Sequence, residues 1–387
     1  MIKTHSVELS EKRQLRRFDN SLTRTDSMCL KGIAIVIMMF HHCFADTSRF
    51  EGYVVDFFPF TQNIIVQTSN YFKICVAFFV FITGYGLYLS AEKGIKDYRT
   101  SAKWTASRLI KSMSGFWFVY ILTFIVTQIY AGYPTEVYCK DGKIRGAVYA
   151  LLDFLGLAND FDTPKLCTTW WYMSAAVFFI IAIPVLSKFA NKFSFWVLLG
   201  LLVFIPRVLQ IEFPGGESGY SFIITLVFGM MFAKYKLFEK LGNLKWVKNE
   251  IADKALKFIP LLLLVGISII VYNRIEKNDF WELHYAVIPM FFIYFCKEYI
   301  VRIPVVKQIL AFFGKHSLNI FLIHTFIRKT FFQDFTYSFE KFWLIALVLF
   351  AISLGISIVI EALKKLIRFD KIIKALSNKV CFLIDKI

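Results

Sequence analysis

The chain has 387 residues, of which 57% are apolar, 18% aromatic and only 19% charged, with a mean hydropathy of +0.57. Soluble domains carry about 45–50% apolar and about 25% charged residues, so this composition excludes a cytosolic enzyme, a secreted disulfide scaffold and a disordered chain. It predicts an all-α, polytopic membrane protein, in which the net charge of +17 must first be sorted by side of the membrane before nucleic acid is considered as a partner.

Residues 1–28 are polar and basic and read as a cytoplasmic tail, with no apolar core or cleavage site that would mark a signal peptide. Ten hydrophobic stretches follow, at 29–46, 71–91, 109–131, 168–187, 193–209, 220–236, 257–273, 281–297, 316–333 and 340–361. Each approaches the roughly 20 residues that a membrane-spanning helix needs. The fifth ends at Pro206 and Arg207, the eighth holds Glu282 and His284, and the ninth holds His316 and His324. The longest outer segment is 132–167, and its mildly apolar centre at 146–158 predicts a helix lying on the outer surface. After the tenth stretch, Lys alternates with Leu, Ile and Phe, which predicts an amphipathic helix on the inner surface. The expected organisation is a tail (1–28), a single ten-helix membrane domain (29–361) and a second cytoplasmic tail (362–387). No internal repeat and no Gly-rich phosphate loop interrupts it, and no soluble catalytic domain is expected after the tenth stretch.

With both termini inside, 32 of the 45 Lys and Arg fall on the inner side and 11 on the outer, while Lys31 and Lys73 lie within the first two stretches. That asymmetry follows the positive-inside rule and fits a multi-pass protein of the cytoplasmic membrane. The charge orients the chain and meets anionic headgroups of the bilayer, which removes nucleic acid as a partner. Among the seven cysteines, Cys29, Cys43, Cys75 and Cys296 lie in apolar runs and read as packing residues. Cys139 and Cys167 share the outer segment, where two free thiols are expected and a disulfide stays open. There is no C-x-x-C, and no metal site is expected.

Ionisable groups within spans are expensive, and each is therefore a functional candidate. In the first stretch Lys31 and His42 stand eleven residues apart, about three helical turns, so they share a face and lie roughly 16 Å apart along the axis. Imidazole is the side chain suited to taking up and returning a proton near neutral pH, which makes His42 a candidate general base. The alternatives are a Lys31 that snorkels to headgroups and a His42 bonded to a neighbouring helix. Arg108 and Lys111 share one face at the cytoplasmic end of the third stretch, where they suit a phosphorylated ligand or serve as an ordinary basic flank. Thr169–Met173, with Trp171, opens the fourth stretch as an aromatic patch; Ser317, Asn319 and His324 mark the ninth, where Asn319 suits a hydrogen bond across helices.

Together these stretches resemble the integral-membrane acyltransferase 3 family, which acylates surface carbohydrates. Leu30-Lys31-Gly32-Ile33-Ala34 followed by His42 is similar to its opening signature, whose spacing His41 misses by one. Phe78–Tyr85 looks like its Phe-rich Ile-Ser-Gly-Phe/Tyr segment, with Thr83 for Ser. Arg108-x-x-Lys111 resembles its Arg-x-x-Arg motif, Trp171-Tyr172-Met173 its Trp-Phe-Leu, and Gly314 through His324 its Gly-x-x-Ser … Tyr-Leu-Leu-His stretch. The resemblance implies an O-acyltransferase, with acetyl-CoA the default donor and a glycan or lipid-linked sugar outside the cytoplasm as acceptor. It implies His42 as general base or transient acyl carrier, and Lys31, Arg108 and Lys111 as contacts for the CoA phosphates. His41, Tyr85, Trp171, Ser317 and His324 would support the reaction chamber. Some members carry a fused esterase-like domain, and without one this chain would acylate its acceptor directly or hand the group to a partner. The rival expectation is a proton-coupled transporter or flippase that relays protons through His42 and His324.

Overall fold

The computed structural model of the chain describes residues 21–211, 217–274 and 281–386; most of the basic N-terminal tail lies outside them. All ten apolar stretches are helical, and no strand occurs among the described residues beyond one isolated bridge between Asp56 and Lys341. The α-helices of seven or more residues are α1 (Arg24–Phe44), α2 (Gln62–Tyr71), α3 (Cys75–Gly94), α4 (Tyr98–Ala131), α5 (Lys143–Phe154), α6 (Trp171–Phe193) and α7 (Phe195–Val208). They continue with α8 (Ile223–Lys234), α9 (Leu237–Asn243), α10 (Glu250–Arg274), α11 (Ile288–Phe295), α12 (Pro304–Thr325), α13 (Phe342–Leu366) and α14 (Phe369–Lys386). Seven described helices are long and apolar enough to cross a membrane, or eight if the pair Tyr220–Lys234 and Leu237–Asn243, bent by 63°, is one span. The remaining two stretches are shorter: α7 has 14 residues, and α11 is flanked by π-helical turns at Leu283–Val287 and Cys296–Ile300. An ion pair of 2.5 Å between Arg207 and Glu282 ties these two together, which accounts for charges inside otherwise apolar segments.

Caps explain why helices begin before their apolar runs. In α1 the Thr23 hydroxyl accepts from the Asp26 N–H at 3.1 Å while the Asp26 carboxylate accepts from the Thr23 N–H at 3.1 Å. This reciprocal box moves the start five residues upstream of the apolar stretch. Asp97 caps α4 in the same way, and Gly132, in the left-handed region at φ +63°, ends it. The 34 residues of α4 span about 51 Å, longer than a bilayer core, so its first turns extend past the basic-flanked end of the bundle.

Two helix pairs approach closely enough to exclude side chains. A Cβ on Gly32 of α1 would overlap the Leu310 carbonyl of α12, and one on Gly314 would overlap the Met28 carbonyl. Gly84 of α3 and Gly229 of α8 face the carbonyls of Leu226 and Phe81 in the same reciprocal manner. In lipid, where burial of apolar surface does not drive association, such backbone contact is a main source of helix packing. Gly314→Leu is expected to cost about 3 kcal/mol or more and to lower the melting temperature in detergent, because backbone must move. Gly266→Ala, whose Cβ would meet nothing within 4 Å, should leave the melt unchanged.

Within the segment 132–167, a helix forms as anticipated, α5. Asp153 anchors this segment, accepting from Tyr138 Oη at 2.6 Å and from the Leu166 N–H at 2.7 Å. Burial pushes its carboxyl up to about 6, held back by those two donors. Cys139 and Cys167 are both free thiols, Cys167 lying 3.2 Å from Thr169 Oγ1. At the opposite end, the amphipathic segment forms α14, which has no buried residue.

Candidate active site

Helix α1 runs through the middle of the bundle, held between α12, α3 and α2. Its N-terminal end is fastened to α12 by Lys307 Nζ, 2.7 Å from Asp26 Oδ1, and by the Cys29 thiol, which donates to the Lys307 carbonyl at 3.2 Å. Beside it lies a cavity of about 760 Å³. Lys31, His42, Arg108 and Lys111, which belong to two helices, all line this one cavity. His41, Trp171 and Ser317 line it as well. Helical periodicity explains the first pair: eleven residues return Lys31 and His42 to one face. Arg108 and Lys111 come from the matching face of α4, three residues apart.

At one end of the cavity, where α1 ends, three histidines cluster. The His42 ring lies 4.7 Å from that of His324 and 5.2 Å, edge-on, from that of His41. His41 is buried, and its Nδ1 stands 2.8 Å from the Ser69 carbonyl. His324 is fully buried, with Nδ1 2.8 Å from the Phe321 carbonyl and Nε2 3.2 Å from Thr325 Oγ1. A carbonyl oxygen only accepts, so these partners assign the proton of both flanking rings to Nδ1. Two neighbouring imidazoles are thus fixed in orientation and tautomer, while His42 presents itself to the cavity between them. His324 reaches the site through its ring contact with His42 and is not part of the cavity wall.

The other end of the cavity is cationic. Arg108 donates to Ser90 Oγ, and its guanidinium carbon lies 5.8 Å from the centre of the Trp104 ring, whose Nε1 donates to the same Ser90 at 3.0 Å. These contacts hold the guanidinium plane in place. Ser317 is buried and donates to the Gly314 carbonyl at 2.8 Å. Asn319, also in α12, bridges helices by donating to Ser357 Oγ at 3.1 Å and to Glu361 Oε1 at 2.9 Å. Tyr85 is placed elsewhere: it is buried at the α3–α8 interface, its ring 6.2 Å from Phe238, and it does not line the cavity.

Several lining residues have no counterpart in the motifs. Arg24 and Lys73 add positive charge, and Arg49 reaches the cavity from the loop after α1 while donating to the His41 carbonyl. Thr169 completes a hydroxyl pair with Thr325 at 3.3 Å, next to His324. A basic residue seven positions after His42 was the one available signal for Arg49, and in a loop it carries no periodicity to place it.

No group of three or more His, Cys, Asp or Glu among the described residues is arranged to hold a metal ion. The arrangement joins a basic entry to an imidazole cluster through one chamber. Such a chamber can seat an anionic ligand at one end and move a proton at the other. The family model of the acyltransferase 3 family, described as an acyltransferase domain, matches residues 27–362. No curated protein and no solved structure matches the chain.

Proposed function

The chain belongs to the acyltransferase 3 family, and we propose that it moves an acyl group, acetyl by default, from cytosolic acyl-CoA to a hydroxyl of a glycan or lipid-linked sugar on the outer side of the cell membrane. The observation that carries this reading is the single cavity lined by Lys31, Arg108 and Lys111 together with His42. The cations suit the phosphates of the donor, and the eleven-residue offset from Lys31 to His42, roughly 16 Å of helix rise, suits an extended thioester arm.

His42 then acts as general base. It takes the proton of the acceptor hydroxyl as that oxygen attacks the thioester carbonyl carbon. The carbon–sulfur bond breaks, and the proton passes from the imidazolium to the departing CoA sulfur. His41 and His324 position the His42 ring from either side. The positive charges of Arg49 and Arg328, near the outer end of α1 and after α12, favour the negative charge that develops on the carbonyl oxygen.

The test is CoA release from acetyl-CoA by the purified protein in detergent, with and without a soluble oligosaccharide acceptor, alongside CoA binding in the same samples. Release or binding that depends on intact protein is the expected result. A carrier would instead need a sealed vesicle and a gradient, so absence of both release and CoA binding in detergent would overturn the transferase reading.

A further inference from the structure

A second groove, of about 820 Å³, opens at the basic-flanked end of the bundle between α4 and α14. It adjoins the reaction cavity, since Arg108 and Lys111 line both. On α4, Lys103, Ser107 and Lys111 stand four apart and Arg108 three before Lys111, which is one helix face. On α14, Asp370, Lys374 and Asn378 stand four apart and form the facing wall. Of the four lining cations Lys103 is paired with Asp385, and Arg108, Lys111 and Lys374 face the one lining carboxylate, Asp370.

Specific contacts hold the facing wall in place. Ser107 Oγ lies 3.2 Å from Ser377 Oγ and 3.2 Å from Cys381 Sγ, and Lys103 pairs with Asp385. At the other end of the helix the Phe118 and Phe369 rings meet edge-on at 5.1 Å. An amphipathic helix lying only on headgroups would not need hydroxyl contacts to a spanning helix, nor would it turn cationic and amide side chains toward a groove shared with that helix. Helix α14 also lies beyond the residues that match the family model, so this wall belongs to the chain's own C-terminal segment.

We propose that this groove binds the nucleotide end of the acyl-CoA donor, with its phosphate groups held between α4 and α14 by Lys374, Arg108 and Lys111. The inference rests on the function proposed above and extends the phosphate contacts of Arg108 and Lys111 from the reaction cavity onto the chain's C-terminal helix. Arg108 and Lys111 stand at the junction, where the diphosphate gives way to the thioester arm. Phosphate bound by ammonium and guanidinium groups is the shared chemistry, and a phospholipid headgroup is the other source that could supply it.

The experiment uses the full chain in nanodiscs of phosphatidylcholine alone and, in parallel, of phosphatidylcholine with phosphatidylglycerol. Calorimetry measures binding of CoA, of adenosine 3′,5′-bisphosphate and of pantetheine, which carries no phosphate. Lys374→Ala is expected to weaken CoA and the bisphosphate about tenfold, with pantetheine unaffected and with Lys374→Arg restoring most of the affinity. The same loss in both lipid compositions is the expected result for a nucleotide site. If Lys374→Ala leaves CoA affinity unchanged while Arg108→Ala weakens it, the groove assignment is overturned and the donor reading stands. If the bisphosphate binds the wild type only in phosphatidylcholine discs and is displaced by phosphatidylglycerol, the groove belongs to lipid. Absence of CoA binding by the wild type in either disc overturns both.

Discussion

His42→Ala is expected to lower acyl transfer by about 10²- to 10⁴-fold, the range that a positioned general base contributes. The protein should still insert and fold, since the His42 side chain faces a cavity and its loss exposes no backbone group. The decisive comparison holds CoA binding and thermal melting constant while transfer is followed with labelled acetyl-CoA and an oligosaccharide acceptor. Near-wild-type transfer would remove His42 from the chemistry. A loss of transfer that accompanies a loss of the melt would show instead that the histidine cluster is structural. The neighbouring rings make the two outcomes separable: His41 and His324 are tied to the Ser69 and Phe321 carbonyls, and those bonds persist when His42 is shortened.

The second large effect lies at the other end of the cavity. Arg108→Ala should weaken acyl-CoA affinity about 10- to 100-fold, since a hydrogen bond to a charged group contributes about 1.5–3 kcal/mol. Lysine at this position should recover part of the loss, because it keeps the charge but not the planar fork or its place against Trp104. Isothermal titration with CoA in nanodiscs checks this. An unchanged affinity would return Arg108 to the role of an ordinary basic flank.

Periodicity made much of this legible before any coordinates. Apolar runs near span length marked all ten helical stretches, and intervals of eleven and three residues marked which side chains share a face. The motif residues Lys31, His42, Arg108 and Lys111 accordingly converge on one cavity. What periodicity cannot carry is contact between distant segments. Tyr85 shares a motif with its neighbours but turns to Phe238 of α9, a contact between segments about 150 residues apart. Arg49 enters from a loop, where no repeat fixes its direction. The bend between α8 and α9, and the early start of α1, depend on backbone geometry and on one capping threonine, neither of which alters hydropathy.

The embrace of α1 and α12 also sets a clock on biosynthesis. Cys29 and its acceptor at Lys307 are 278 residues apart. At about 5–20 residues per second, translation leaves the first helix waiting roughly 15 to 55 s for the partner whose backbone it touches. Throughout that interval Lys31 and the glycine face of α1 sit in lipid or against temporary neighbours. Chains halted before α12 therefore hold every motif of the first two thirds of the sequence and still lack a finished chamber, so quality control in the membrane has a long window in which to recognise them.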